Sequence, residues 1–317
     1  MTSSPHLKTA TTTPLLMGEV LLALLPVGLV SVVLFGPRAL AIMGLTTAAA
    51  VAAEALYQKA AGKALTVTDG SAAVTGLLLA LGMPPLVPLW VPVIGAGFAI
   101  IVVKQLYGGL GHNFMNPALT ARAFLVAAWP MAMTTGWMAP FDGVTTATPL
   151  QVMKGLAQAP MAQPWELFLG LRAGSLGEVS VLALALGGGY LLWRRVIDWQ
   201  IPAGFIGTVA LVTWVFGGTR GLFTGDVVLH LLTGGLWLGA LFMATDYVTS
   251  PVTRRGRLIM GVGGGLITAL IRLWGGMPEG VTFGILLMNV ATPLIDRFTV
   301  PRVFGQPKRA GKGGQGR

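Results

Sequence analysis

Cysteine is absent from the 317 residues. That excludes thiolate catalysis, cysteine-ligated iron–sulfur clusters, cysteine-bound zinc and structural disulfides. Charge is scarce: Asp, Glu, Lys and Arg make up 10% of the chain, where a soluble domain carries about 25%. Histidine occurs three times and Asp plus Glu 11 times, so an all-protein metal cluster is not expected. Hydrophobic residues dominate, at 54%, and the mean hydropathy is +0.75. A water-soluble globular domain, a disordered chain and a nucleic-acid-binding arm are all excluded. The 45 Gly and 20 Pro suit membrane helices, where small residues let backbones approach closely. The fold class expected is an all-α integral membrane protein.

A spanning helix needs about 20 mostly apolar residues. Ten segments qualify as candidates: 14–36, 39–57, 71–81, 87–107, 116–135, 177–193, 201–217, 227–245, 258–274 and 281–300. The third is short and stops at Gly82-Met83-Pro84-Pro85, so it reads as a half-span or a re-entrant segment. No cleavable signal peptide is expected, because the first apolar stretch is long and no small-residue cleavage pattern follows it. With ten crossings, fifteen of the 21 basic residues fall on the face that carries both termini. Arg38, Lys154, Arg172 and Arg220 fall on the other face, and Arg122 and Arg272 within spans. Lys and Arg mark the cytoplasmic side, so both termini are expected in the cytoplasm. The basic stretch Pro307-Lys308-Arg309-Ala310-Gly311-Lys312 reads as a solvated anchor near anionic membrane lipid, with no nucleic acid as partner.

The longest stretch outside the spans divides the chain. The expected organisation is a cytoplasmic tail (1–13), a five-span repeat (14–135), an extracytoplasmic loop (136–176), a second five-span repeat (177–300) and a basic cytoplasmic tail (301–317). Five spans per half give the halves opposite orientations, the inverted-repeat design of many transporters. A weak internal echo agrees. Gly111-His112-Asn113-Phe114-Met115-Asn116-Pro117-Ala118 is matched by Phe283-Gly284-Ile285-Leu286-Leu287-Met288-Asn289 and Pro293. Asp69-Gly70-Ser71 resembles Asp246-Tyr247-Val248-Thr249-Ser250, although a strict repeat would put the match at Thr224-Gly225-Asp226. Chance similarity between Gly- and Leu-rich spans is the alternative.

Ionisable groups in a membrane cost about 2.5–3.5 kcal/mol each on insertion scales, so each is a functional candidate. Glu19, Glu54, Arg122, His230, Arg272 and Asp296 lie within spans; Asp69, Asp226, Asp246 and Glu279 lie at their ends. The plain alternative is ion pairing that specifies helix packing. Two arginines in spans suggest an anion, a carboxylate partner or a carbonyl-rich ligand, to which a guanidinium donates two bonds. Asn116-Pro117 opens a span, where free backbone N–H groups could face an anion or a polar ring. The plain reading is an ordinary helix start, with Asn116 near the cap and Pro117 in the first turn.

In the loop stands Asp142-Gly143-Val144-Thr145-Thr146-Ala147-Thr148-Pro149. Pro149 keeps Thr148 extended, so its hydroxyl is expected in an accessible, non-helical backbone. A Thr hydroxyl is a weak nucleophile unless activated. Asp142 is the best local base, so modification by a separate enzyme is expected. The segment resembles the flavinylation signature Asp-x-x-(Ser/Thr)-(Gly/Ser/Thr)-Ala-(Ser/Thr). Asp142, Thr145, Ala147 and Thr148 match it, and Thr146 stands where Gly is common. In proteins with this signature a flavin transferase joins FMN by a phosphodiester to the final hydroxyl, here Thr148.

Further segments resemble one family in order along residues 14–300. They include Thr68-Asp69-Gly70-Ser71, Phe114-Met115-Asn116-Pro117-Ala118-Leu119, Arg122-Ala123-Phe124, Phe242-Met243-Ala244-Thr245-Asp246, Pro278-Glu279-Gly280 and Leu286-Leu287-Met288-Asn289. It is the family of the D subunit of the Rnf electron-transport complex and the B subunit of sodium-pumping NADH:quinone reductase. The length fits the Rnf D subunit better. The resemblance implies a membrane component, not catalytic alone, of a redox-driven ion translocase in the bacterial inner membrane. It implies covalent FMN on Thr148, with riboflavin as a second, non-covalent flavin in relatives. It implies the other Rnf subunits (A, B, C, E and G) as partners, and coupling of ferredoxin/NAD(H) electron transfer to Na⁺ or H⁺ movement. Arg122, Asn116 and Pro117 are the expected flavin contacts. Glu54, Asp69, Asp246, Glu279 and Asp296 are the candidates for ion handling, with structural ion pairing as the alternative for each. The competing classes are a non-redox inverted-repeat transporter or channel, and a scaffold protein that only anchors partners.

Overall fold

Four helices are long and apolar enough to cross a membrane: α1 (Thr13–Phe35), α2 (Pro37–Ala60), α13 (Arg254–Trp274) and α14 (Val281–Thr299). A computed structural model describes residues 12–141, 143–160, 162–218, 221–277 and 279–300. Shorter apolar helices are α3 (Ser71–Leu81), α4 (Trp90–Gln105), α5 (Pro117–Ala128), α9 (Val181–Trp193) and α10 (Gln200–Phe216). Short helices complete the order: α6 (Pro130–Thr134), α7 (Pro149–Met153), α8 (Pro164–Leu169), α11 (Val227–Leu232) and α12 (Leu236–Leu238). Among the described residues no strand occurs, only an isolated antiparallel bridge between Met138 and Thr145. The basic tail at 307–312 lies outside the described residues.

α1 is apolar around most of its surface, as a membrane helix should be, apart from Glu19, which accepts from Arg194 and Tyr190. Leu24 and Val27 are buried inward, while Leu29 and Val33 are two-thirds exposed on the outer face. α1 passes to α2 in a single residue. Gly36 sits at φ +72, a conformation that favours glycine, and Pro37 opens α2 with its φ already set.

The glycines are packing devices. A Cβ on Gly261 would lie 2.6 Å from the Ile201 carbonyl oxygen, and one on Gly265 2.5 Å from that of Phe205. This stripe lets α13 lie directly on the α10 backbone.

Two of the ten expected spans are broken. Segment 116–135 divides into α5 and α6 at Trp129, which Pro130 holds outside helical geometry. Segment 227–245 divides into α11 and α12 at Thr233-Gly234-Gly235, with Gly234 at φ +68. α12 then runs into a π-helical turn, Gly239–Met243, and the second half of α4 is π-helical over Phe98–Gln105. Such turns gather at functional sites.

α3 is a half-span. Its 11 residues rise about 16 Å at about 1.5 Å each, against a hydrocarbon core of about 30 Å. Its terminal carbonyls are not wasted: Gly177 N–H donates to Leu81 O at 2.7 Å and Leu176 N–H to Met83 O at 3.0 Å. A loop from the second half of the chain thereby closes a broken helix of the first.

Candidate functional site

Thr148 is the N-cap of α7. Its backbone is extended (φ −72, ψ 152), as Pro149 requires. Thr148 N–H donates to Gln151 Oε1 at 2.9 Å, and Gln151 N–H to Thr148 Oγ1 at 3.3 Å, a reciprocal capping box. The preceding segment folds back on itself: Ala139 N–H donates to Val144 O and Thr146 N–H to Trp137 O. Thr145 is exposed on this fold, and Ala147 and Thr148 are half-buried. Asp142 lies outside the described residues.

α7 is anchored from behind. Pro149 and Leu150 are buried. Lys154 Nζ donates to the carbonyls of Ile271, Gly275 and Met277 at 2.9, 2.6 and 2.5 Å. An ammonium there complements the negative end of α13. Burial and the neighbouring Arg272 charge hold the Lys154 ammonium below the usual lysine range.

Thr148 borders a cavity of about 470 Å³ shared with Trp137, Arg172, Ser175, Glu178 and Glu279. The Trp137 indole N–H is buried there without a partner among the described residues. Beside it lies an ionic cluster. Arg122 Nη2 meets Glu279 Oε2 at 2.8 Å and Glu178 Oε1 at 3.2 Å. Its Nη1 donates to Thr282 Oγ1 at 3.1 Å. Arg172 donates to the carbonyls of Glu178 (2.6 Å) and Val179 (3.2 Å).

The same cluster repairs the broken span. Arg272 donates to His230 O at 2.6 Å and Thr233 O at 3.0 Å, the carbonyls freed where α11 ends. Glu279 accepts from Gly235 N–H, which is freed where α12 begins. In a membrane every such group needs an internal partner. Arg122, Arg172 and Arg272 thus gather about Glu178 and Glu279, with Lys154 beside Arg272, so that four cationic groups stand with two carboxylates among the described residues, two positive charges in excess.

A second cluster lies where α2, α3 and α4 meet. Glu54 and Lys104 are 1% and 2% exposed and pair at 2.8 Å. Lys104 Nζ also donates to Ser71 Oγ at 2.6 Å, and Ser71 Oγ in turn to Asp69 Oδ1 at 2.6 Å. Gln105 Nε2 donates to Glu54 Oε1 at 2.6 Å. Ser71 and Lys104 face a cavity of about 750 Å³ that Asn113, Asn116, Thr245 and Asp246 also line.

The two echoed asparagines meet. Asn116 N–H donates to Asn289 Oδ1 at 3.2 Å, and Asn116 Nδ2 to Met243 O at 3.2 Å. Asn116 Oδ1 caps α5 by accepting from Leu119 N–H at 3.1 Å, with Pro117 in the first turn. The plain reading of Asn116-Pro117 therefore describes this helix start.

The sequence-derived candidates separate into groups. Thr148 and Thr145 lie on one segment, with Glu279 and Arg122 below Thr148. Glu54 and Asp69 belong to the Lys104 chain, and Asp246 borders the same cavity. Asp296 stands apart and accepts from Val252 N–H at 3.1 Å. Reasoning from sequence missed Lys104, counted as a loop charge although it lies inside the expected span 87–107. It missed Glu178, which opens the expected span at 177. It also left Arg172 and Lys154 as loop charges.

A family model described as the NQR2, RnfD, RnfE family matches residues 1–305. The chain belongs to this family. It is 48% identical over 311 residues to the D subunit of the Na⁺-translocating ferredoxin:NAD⁺ oxidoreductase complex of Acetobacterium woodii, covering 97% of this chain and 96% of that one. It is 47% identical over 317 residues to the D subunit of the proton-translocating ferredoxin:NAD⁺ oxidoreductase complex of Clostridium ljungdahlii, covering 96% of both. The D subunit of the ion-translocating oxidoreductase complex of Stutzerimonas stutzeri is 42% identical over 327 residues, covering 93% of this chain and 92% of that one. In this family setting the described apolar helices form a multi-pass membrane protein.

Proposed function

We propose that this chain is the D subunit of an ion-translocating, Rnf-type ferredoxin:NAD⁺ oxidoreductase complex, and that it relays electrons through FMN joined to Thr148 by a phosphodiester. The relatives named above support the Rnf D subunit over the quinone-reductase B subunit, since each matches over more than nine-tenths of both chains.

The observation that carries the flavin assignment is the surrounding of Thr148. Its hydroxyl ends an exposed, signature-bearing segment that a transferase can reach. Behind it lie a cavity, an unpartnered indole N–H and an excess of guanidinium charge. A phosphodiester carries one negative charge and a flavin ring offers acceptor atoms, so the residues present fit the group. FMN supplies the ability to accept electrons in pairs and release them singly. The chain supplies position: the Gln151 capping box and the Lys154 anchor fix the attachment point, and Trp137 and Arg172 line the cavity wall. Arg122 supports that wall through Glu178 and Glu279, while Asn116 and Pro117 belong to the other cavity. The polar lining of that cavity, with Ser71, Lys104 and Asn113, makes it the proposed place for a second, non-covalent flavin such as riboflavin.

The topology belongs to the same proposal: ten crossings in two inverted repeats, termini in the cytoplasm, and the Thr148 loop on the extracytoplasmic side of the inner membrane. A further echo supports the repeat. Gln105-Leu106-Tyr107-Gly108-Gly109 ends α4, and Arg272-Leu273-Trp274-Gly275-Gly276 ends α13. Glu54, Asp69 and Asp246, gathered about one cavity, are the proposed ion-handling groups; Glu279 and Asp296 take part as end groups. The remaining Rnf subunits and a flavin transferase are the proposed partners.

The test is in-gel flavin fluorescence of the denatured chain after co-expression with a flavin transferase, with mass spectrometry of the Thr148 peptide. Wild type is expected to fluoresce and its peptide to carry the mass of FMN. Thr148→Val is expected to lose both. A fluorescent Thr148→Val chain, or a wild-type chain without flavin, overturns the assignment and favours a non-redox transporter.

A further inference from the structure

On the far side of α7 from the Thr148 cavity lies a larger one, of about 1050 Å³. His230, Arg272 and Lys154 supply its polar wall, and Phe216 and Trp274 stand at its rim. His230 and Arg272 are 5% and 3% exposed. His230 Nδ1 and Arg272 Nε are both buried without a partner among the described residues. Arg272 has five N–H donors and spends one from each terminal nitrogen on His230 O and Thr233 O. Arg272 therefore keeps unspent donors, and His230 beside it keeps an unpartnered ring nitrogen that donates in its Nδ1–H tautomer. Buried polar groups are ordinarily paired, and for Arg272 what is missing is an acceptor.

The rim says where the acceptor comes from. Phe216 and Trp274 are 51% and 61% exposed, with ring centroids 5.9 Å apart. Aromatic rings at the ends of spanning helices sit at headgroup level. Gly217 and Gly218 follow Phe216, and Gly275 and Gly276 follow Trp274, so that backbone without side chains lines the wall next to each ring. At Gly276 a Cβ would meet nothing within 4 Å.

We propose that this cavity binds the anionic phosphodiester headgroup of a membrane lipid, with His230 and Arg272 donating to its oxygens and Lys154 adding charge. This site goes beyond the electron-relay reading and stands on its own geometry. Only the charge balance touches that reading. The phosphodiester at Thr148 answers one of the two excess positive charges, and the lipid headgroup answers the other.

The experiment is native mass spectrometry of the full chain, delipidated in detergent and offered phosphatidylglycerol, diacylglycerol or inorganic phosphate. Wild type is expected to retain one phosphatidylglycerol and no diacylglycerol. His230→Leu is expected to weaken that retention about tenfold. Lys154→Gln, which keeps a hydrogen-bonding side chain, covers the case in which His230→Leu fails to fold, and is expected to weaken it as well. Displacement of the lipid by inorganic phosphate identifies the phosphate as the recognised part and supports the proposal. Equal retention of diacylglycerol, or unchanged retention in both folded variants, overturns it. The readout needs no flavin, so its failure is distinct from failure of the Thr148 assignment.

Discussion

Removing the Glu54 carboxylate separates a structural ion pair from a working one. Glu54 and Lys104 are each almost fully buried and 2.8 Å apart. Glu54→Gln keeps the volume, and its amide oxygen can still accept from Gln105 and Lys104, but it removes the only carboxylate paired with the Lys104 ammonium among the described residues. Breaking a buried pair by removing one partner costs about 3–5 kcal/mol, because the other charge stays desolvated. Replacing both partners by groups of similar volume is near neutral or stabilising. Glu54→Gln is therefore expected to lower the thermal midpoint of the detergent-solubilised protein by about 6–20 °C, at about 2–4 °C per kcal/mol for a large chain. Glu54→Gln combined with Lys104→Met is expected to recover most of that loss. Ion uptake by the complex in vesicles then decides the role. If the pair is structural, the double variant restores uptake with stability. If Glu54 handles ions, stability returns and uptake does not. A cost below about 1 kcal/mol for Glu54→Gln alone would refute the reasoning, since Lys104 would then have another counter-ion.

Other outcomes follow from single contacts. Gly265→Val should destabilise by about 1–3 kcal/mol through overpacking against the Phe205 carbonyl, whereas Gly207→Ala, whose Cβ meets nothing within 4 Å, should stay within about 0.5 kcal/mol; thermal unfolding measures both. Asn289→Ala leaves Asn116 N–H without its acceptor and should cost about 1–3 kcal/mol, read the same way. Lys154→Met removes the anchor of α7 on three carbonyls at and just after the end of α13 and should raise protease cleavage near Thr148 at unchanged expression. Thr145→Val should leave a Thr148 hydroxyl to be modified; a flavin-free protein would show that the transferase reads Thr145 directly.

Hydrophobicity marks where a helix is, and all ten apolar segments contain helix. It marks breaks poorly, because a break is set by who satisfies the freed backbone groups. Thr233-Gly234-Gly235 looks like an ordinary small-residue stretch. It can open because Arg272, on α13, takes the freed carbonyls and Glu279, in the loop before α14, takes a freed N–H, both far along the chain. Trp129-Pro130 carried a local signal, since proline cannot continue a helix, and could have been read. Lys104 and Glu54 had a usable signal too: opposite charges late in consecutive inward-running spans lie at similar depth. Arg172 and Glu178 had none, for their partners are set by tertiary packing. The Asn116 and Asn289 echo was legible as a repeat, but its meaning as a contact needed the fold.

The two cavity-bearing ends differ in charge, and the difference bears on what each can hold. At the Lys104 cluster one buried ammonium pairs with Glu54 and reaches Asp69 through Ser71, and Asp246 borders the same cavity as Lys104. Around Thr148, four cationic groups stand with two carboxylates among the described residues. Bringing a net charge into a low-dielectric interior is costly unless an opposite charge joins it. On the function proposed above, a cation or protons would complete the acidic cluster, and anions such as phosphodiesters the basic one. On the proposed inverted repeat, Gln105, neutral and bonded to Glu54, stands where the second half carries Arg272, which is charged and donates to His230 O and Thr233 O. That one difference would give related helix ends different partners within one fold.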